Sequence, residues 1–409
     1  MRVSEASEII CGQLINEPSI GSFEGFATKI EDVKRGVLFF ALDRDEIDLA
    51  LEKGAFGVVF DSQAQMRNVE VAWIKVDNIQ HSLIRLVRYL LVGKKIEIIL
   101  LSEIQYSIAK EIIRAKEVLF FDDCLSNFAG EPNRYSHYAT NKDSTLSSTT
   151  QARLPIQELL DGIVKQNPRK IITSLQGIAD LSIEEYTTCI NPKHSPLDII
   201  TPHQIFESKF YHKVSAYQIP LPAVFLPELG AVVELCLREG DELSFELRDF
   251  APLERLLPIA LSPEAKILPL GKSNKVAIPT HSVEIFLRYA KYLKENAKFG
   301  ELAFFVPRIL GEKEMKIFAP IDENSDENDG YGGYSKAGFY LCEENLNDSS
   351  QNNENDKERL EAICYDSSNE LPKMLKLERF NFALVLGIST EGLIFVLNEA
   401  SKDTSPVLF

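Results

Sequence analysis

The strongest constraint on this chain is a series of short, unbroken apolar runs, several followed by a helix-like pattern. Residues 37–42 read VLFFAL, residues 56–60 FGVVF and residues 71–76 VAWIKV. Runs with few or no polar residues suit strands buried on both faces, which parallel sheets need. Between them, residues 45–53 carry Ile47, Leu49, Ala50 and Leu51 and stop at Gly54, as a short helix would. Residues 82–91 repeat Leu83, Leu86, Val87 and Leu90 at helical spacing. Strands alternating with helices predict an α/β fold.

After Lys94-Lys95 the pattern restarts. Residues 96–101 form another buried-strand run, 104–116 an amphipathic helix, and 118–121 a strand ending in Asp122-Asp123. Residues 136–152 are rich in Ser and Thr with no apolar period, and read as a loop or linker. Helix is expected over 154–165 and strand over 170–174. The stretch 189–217, with Pro192, Pro196 and Pro202, shows no clear period. Further helices are expected over 227–239, with Gly240 at the end, and over 283–296, capped by Ser282. Strands are expected at 302–306 and 315–319. Residues 380–386 and 393–397 read as a hairpin turning at 389–392. No internal repeat is present.

Three regions follow: 1–94, 95–200 and 201–409. At 409 residues the chain has length for two or three domains. Its net charge of −17 argues against a general nucleic-acid binder and against a polybasic membrane anchor. The charge is uneven. Residues 322–360 hold eleven acidic and three basic residues, a balance of −8, and read as an acidic disordered loop. The rest carries −9 over 370 residues. No run approaches membrane-spanning length, and none of the six cysteines stands in a CxxC pair, so a reducing cytoplasm is the expected setting.

Residues 25–92 carry a recognisable order of pieces. Residues 33–42 read VKRGVLFFAL, residues 50–59 ALEKGAFGVV, and residues 74–78 IKVDN before the helix at 82–91. This order and spacing resembles the N-terminal domain of the Mur ligases, closest to those that add the third amino acid or the terminal dipeptide to peptidoglycan precursors. The resemblance implies a Mur-ligase-like N-terminal α/β domain, a divergent Rossmann-like central region and a C-terminal α/β region. It implies a cytoplasmic bacterial protein of cell-wall precursor synthesis, with UDP-MurNAc-peptide or cell-wall synthesis proteins as partners.

Two departures bear on chemistry. The family's Ser-Arg pair, which helps hold the UDP group, falls near Ile30 and Glu31, and its Asp-Gly-His loop is replaced by Asp43-Arg44-Asp45-Glu46. A glutamate in place of an arginine repels a diphosphate. The family's ATP loop, Gly-x-x-Gly-Lys-Thr, should follow the strand at 96–101. Here the sequence runs from Ser102 through Glu103 and Gln105 to Lys110 without a glycine. Glycines let backbone N–H groups wrap phosphates, lysine neutralises them and threonine holds magnesium. The first expectation is a protein weak or inactive as an ATP-dependent ligase that acts by binding, with no catalytic, cofactor or metal residue assigned. The second is an active amide ligase with a different ATP site, and only then are ATP and magnesium expected. A third expectation is a scaffold docking a basic partner through its acidic loop.

Other patterns read more plainly. Gly271-Lys272-Ser273 lacks the earlier glycine of a phosphate loop, where Lys266 stands, and suits a turn between strands. His194, His203 and His212, near Asp198 and Glu207, are spaced unlike metal ligands. Residues 322–330 have calcium-loop composition in the wrong register. Asp122-Asp123 could hold magnesium only beside a phosphate loop, and Cys124 has no evident activating base.

Overall fold

Burial on both faces organises every large sheet in the computed structural model. It describes residues 1–62, 66–122, 155–183, 185–191, 195–201, 204–253, 256, 258–269, 271–298, 300–309, 318–320, 336–340 and 359–403. The first elements are α1 (Val3–Ile9), β1 (Gln13–Leu14), β2 (Gly25–Ala27), β3 (Val37–Phe40), α2 (Glu46–Glu52), β4 (Gly57–Phe60), β5 (Ala72–Lys75) and α3 (Ile79–Gly93). Their sheet has the order β1-β5-β4-β3-β2, with β2 to β5 parallel. All four residues of β3 and of β4 are buried, as their composition demands. Helix α3 starts earlier than its apolar period suggests, because the Asn78 side chain accepts a hydrogen bond from the His81 N–H.

A second sheet follows, built from β6 (Glu97–Leu100), α4 (Glu103–Ile112), β7 (Val118–Phe121), α5 (Pro155–Gln166), β8 (Lys170–Thr173), α6 (Gln176–Ala179) and β9 (Thr187–Thr188). Its order is β7-β8-β6-β9, all parallel. One apolar core joins the two sheets. It takes in Leu38, Phe40 and Ile74 of the first sheet, Leu83, Leu86 and Leu90 of α3, Ile156, Leu159 and Ile163 of α5, and Ile98 and Ile171 of the second sheet. On the far side of the first sheet, Phe39, Val58 and Trp73 pack with Ile47 and Ala50 of α2.

The chain continues through β10 (Asp198–Ile199), β11 (Ser208–His212), β12 (Ser215–Ile219), α7 (Leu226–Cys236), β13 (Ile259–Leu261), β14 (Ile267–Leu268), β15 (Lys275–Thr280), α8 (Val283–Asn296), β16 (Leu302–Pro307), β17 (Phe318–Pro320), β18 (Lys336–Tyr340), β19 (Arg359–Tyr365), α9 (Leu371–Leu377), β20 (Phe382–Leu386) and α10 (Thr390–Asp403). Strands β13 to β20 form an eight-stranded sheet ordered β14-β13-β15-β20-β16-β19-β18-β17, with β15, β20, β16 and β19 parallel. On one face Phe286 of α8 meets Phe304, Phe318 and Phe339 edge-on or tilted. On the other, Leu371 and Met374 of α9 and Leu393 and Leu397 of α10 pack on Ala277, Phe305 and Val385. The chain forms two compact units, Met1–Asn191 with Leu235–Phe245, and Pro192–Glu234 with Glu246–Phe409.

Two expectations are corrected. Residues 393–397 belong to α10, not to a hairpin strand. Leu393, Val396 and Leu397 are buried at helical spacing, and a five-residue apolar run does not by itself separate strand from helix. The acidic stretch 322–360 is not one loop. It contains β18, whose Phe339 is fully buried, and the start of β19, with which β18 pairs antiparallel. The stretch 189–217, for which the sequence shows no clear period, holds β10 and β11 and the first part of β12, with β11 and β12 forming a hairpin. The remainder of 322–360 and the Ser/Thr-rich stretch 136–152 lie outside the described residues. Among the described residues no helix is long and apolar enough to cross a membrane.

A buried ion pair anchors α8 in the second unit. Arg288 Nη2 donates to Glu228 Oε2 at 2.8 Å, Nη1 bonds the other oxygen, and the guanidinium lies over the Phe225 ring at 5.3 Å. Glu228 is 4% exposed. Arg288→Ala strands that carboxylate, so it should destabilise the second unit by about 3–5 kcal/mol. Chemical denaturation measures this; a loss below about 1 kcal/mol would refute the assignment of the pair as an anchor.

Candidate functional site

The first position to consider is the turn after β6, where a phosphate loop would sit. Two residues, Leu101 and Ser102, join β6 to α4. Ser102 Oγ accepts from the Gln105 N–H at 3.2 Å, and Gln105 Oε1 accepts from the Ser102 N–H at 3.0 Å. This reciprocal capping box satisfies two of the donors that a helix start offers to an anion. Gln105 is 4% exposed, and its Nε2 donates to Cys189 O at 3.2 Å and to Asn191 Oδ1 at 3.1 Å. The segment after β9 is therefore tied to the helix start by protein groups. Glu103 adds negative charge in the first turn, and Lys110 sits in the last turn. At 1.5 Å per residue that is about 10 Å along the helix. The start of α4 thus has neither a glycine-rich loop nor a lysine in its first turn.

The second position is the carboxyl end of β2 and β3. Ile30–Asp32 is a short 3-10 turn, with Ile30 O accepting from Lys53 Nζ at 2.9 Å. Glu31 is exposed within it. Both neighbours of this turn are engaged with α5. Lys29 pairs with Asp161 at 3.2 Å, Thr28 Oγ1 donates to Asp161 Oδ1 at 3.1 Å, and Lys165 Nζ donates to Asp32 Oδ2 at 2.6 Å. After β3, Asp43 Oδ1 accepts from the Asp45 N–H at 3.0 Å and turns the chain into α2. The lysines at this end, Lys29, Lys53 and Lys165, bond Asp161, Ile30 O and Asp32 in turn.

Other expected positions resolve individually. Gly271 has φ +79°, Lys272 N donates to Pro269 O at 3.2 Å, and Lys275 N donates to Ser273 Oγ at 2.9 Å, so 271–273 is the turn between β14 and β15. His212 is buried on β11 with Nδ1 3.2 Å from Pro196 O. Asp198 sits opposite Tyr211, and Glu207 accepts from Gln218 at 2.6 Å. His194, His203, Asp123, Cys124 and residues 322–330 lie outside the described residues, while Asp122 directly follows β7. No group of metal-ligating side chains occurs among the described residues.

Two features carry no local sequence signal. Lys170, 6% exposed at the start of β8, bonds both Glu97 and Asp241, and Thr187 Oγ1 donates to Glu97 at 2.7 Å. A shallow concavity is lined by Ala179, Asp180, Ser182, Ile183, Glu185 and Tyr186. Gln176 Nε2 reaches both Asp180 Oδ1 at 2.7 Å and Tyr186 Oη at 2.8 Å beside it.

The fold and these positions can be set beside known proteins. No protein-family model matches the chain, and no curated protein matches it. Its structural neighbours are Mur ligases. MurF from Acinetobacter baumannii is 11% identical, covers 75% of this chain and 79% of its own, and superposes with a TM-score of 0.42. MurF from Thermotoga maritima, solved with ADP, is 10% identical over 93% of this chain and 98% of its own, with a TM-score of 0.45. A UDP-N-acetylmuramoyl-L-alanyl-D-glutamate–2,6-diaminopimelate ligase is 13% identical over 76% of this chain and 78% of its own, with a TM-score of 0.32. Likenesses this distant assign neither a reaction nor a residue role.

Two outcomes follow. Ser102→Ala removes half of the capping box and should cost about 1 kcal/mol, read as a lower denaturation midpoint at unchanged slope. An unchanged midpoint would mean the cap is not formed. Burial pushes the Cys236 thiol up to about 12, whereas Cys11 is exposed. The thiolate is the reactive form, so alkylation of the native protein at about pH 8 should modify Cys11 and spare Cys236. Peptide mapping reads the difference, and modified Cys236 in folded protein would contradict it.

Proposed function

We propose that this chain is a Mur-ligase-like protein of bacterial peptidoglycan precursor synthesis, working in the cytoplasm by binding rather than by ATP-dependent bond formation. The carrying observation is the closed start of α4. An amide ligase driven by ATP must hold a triphosphate and its magnesium against a carboxylate, with preorganised donors and cations aimed at the transferring phosphate. Here the connection is two residues long, two of its donors are taken by Ser102 and Gln105, and Gln105 is tied to Cys189 and Asn191. The resemblance over residues 25–92 supports the lineage, and the partners it suggests are a UDP-MurNAc-peptide or a cell-wall synthesis protein.

Titration calorimetry with Mg-ATP on the full chain tests this. The expected result is no binding heat from a folded sample. Binding with a Kd near micromolar, about −8 kcal/mol, would overturn the reading and favour an active amide ligase with a different ATP site. The acidic stretch has its own test. Removing residues 322–360 whole would also remove β18 and the start of β19. Neutralising the acidic residues outside those strands is the cleaner variant, and a basic partner docked there should be lost from a pull-down.

A further inference from the structure

The first unit contains two separate sheets, each with an edge strand, yet nothing in it divides them into independent bodies. Helix α5 packs against α3, against β7 of the second sheet and against β2 of the first. The side chains of the two helices, Leu86 and Leu90 with Leu159 and Ile163, belong to one apolar core. Pulling the sheets apart would expose both helix faces at once. Above that core runs a charged seam. The β2 end and the turn after it supply Thr28, Lys29 and Asp32; α5 supplies Asp161 and Lys165, four residues apart and so on one face. Asp161 is 8% exposed and takes both Thr28 and Lys29.

We infer that the two sheets of the first unit open and close as one cooperative body, with the seam between Thr28–Asp32 and α5 as the clasp that fixes their mutual register. The apolar core supplies the attraction, but apolar contact alone tolerates sliding. A nearly buried carboxylate does not: displaced by one helical turn, Asp161 loses both partners and remains desolvated. Specificity of arrangement, rather than net stabilisation, is what such a group contributes. The seam joins residues 133 apart in sequence, so it exists only when both sheets are formed. A platform of this kind presents its surfaces to a partner in one preset arrangement.

Native-state hydrogen exchange on the full chain tests the inference. In the unaltered protein the slowest amides of β3 and β4 should open together with those of β6 and β8. Asp161→Asn keeps the side-chain shape and removes the charge; it should speed exchange in both sheets by a common factor of about tenfold. Asp32→Asn acts on the more exposed pair and should give a common factor of about two- to fivefold, which keeps the test available if the first variant does not fold. Faster exchange in one sheet, with the other unchanged, would overturn the inference for either variant. So would an unaltered protein whose first sheet opens about a hundredfold more readily than its second.

Discussion

A parallel strand buries both of its faces, and everything large in this protein follows from that. Each parallel sheet must be covered twice, so helices have to be found on either side. In the first unit the chain solves this economically by packing α3 and α5 on one another, with α5 also against a strand of each sheet. In the second unit α8 covers one face with Phe286, while α9 and α10 cover the opposite one. The connection from β6 to α4 is two residues long, and so short a turn leaves little backbone free to wrap a ligand.

The start of α4 shows the same pressure at atomic scale. A helix beginning two residues after a strand has to satisfy its own N–H groups nearby. Ser102 and Gln105 do so reciprocally, and Gln105 then reaches across to the strand-end segment at 189–191. Local side chains thus do at this turn what a bound anion does elsewhere.

What could be read from the sequence depended on how far apart the cooperating residues lie. The strands at 37–40 and 57–60 announce themselves, because burial on both faces leaves no room for a polar residue; those at 72–75 and 97–100 admit one charged residue each, Lys75 and Glu97, at an end. Ser282 as a helix cap is equally local. The absence of a glycine-rich phosphate loop after residue 101 was legible for the same reason. Residues 393–397 were not, since five apolar residues fit a strand or one helical turn. Lys336–Tyr340 was hidden because acidic neighbours dominate the composition around a strand whose buried contribution is largely Ala337 and Phe339. The Gln105 bond to Asn191 spans 86 residues and the Thr28 bond to Asp161 spans 133, and no local pattern encodes either.

The discontinuity of the first unit bears on the order in which it is made. Residues 192–234 belong elsewhere, and Leu235–Phe245 then rejoin the unit that ended at Asn191. There Asp241 meets Lys170, and Ser244 O accepts from the Arg114 N–H at 2.8 Å. On a ribosome adding residues from the N-terminus, Lys170 emerges well before Asp241 does. Until then its buried ammonium has Glu97 as its acidic partner. The nascent unit therefore waits, one carboxylate short, while the start of its neighbour is synthesised, and its completion is timed by residues that lie beyond its own main segment.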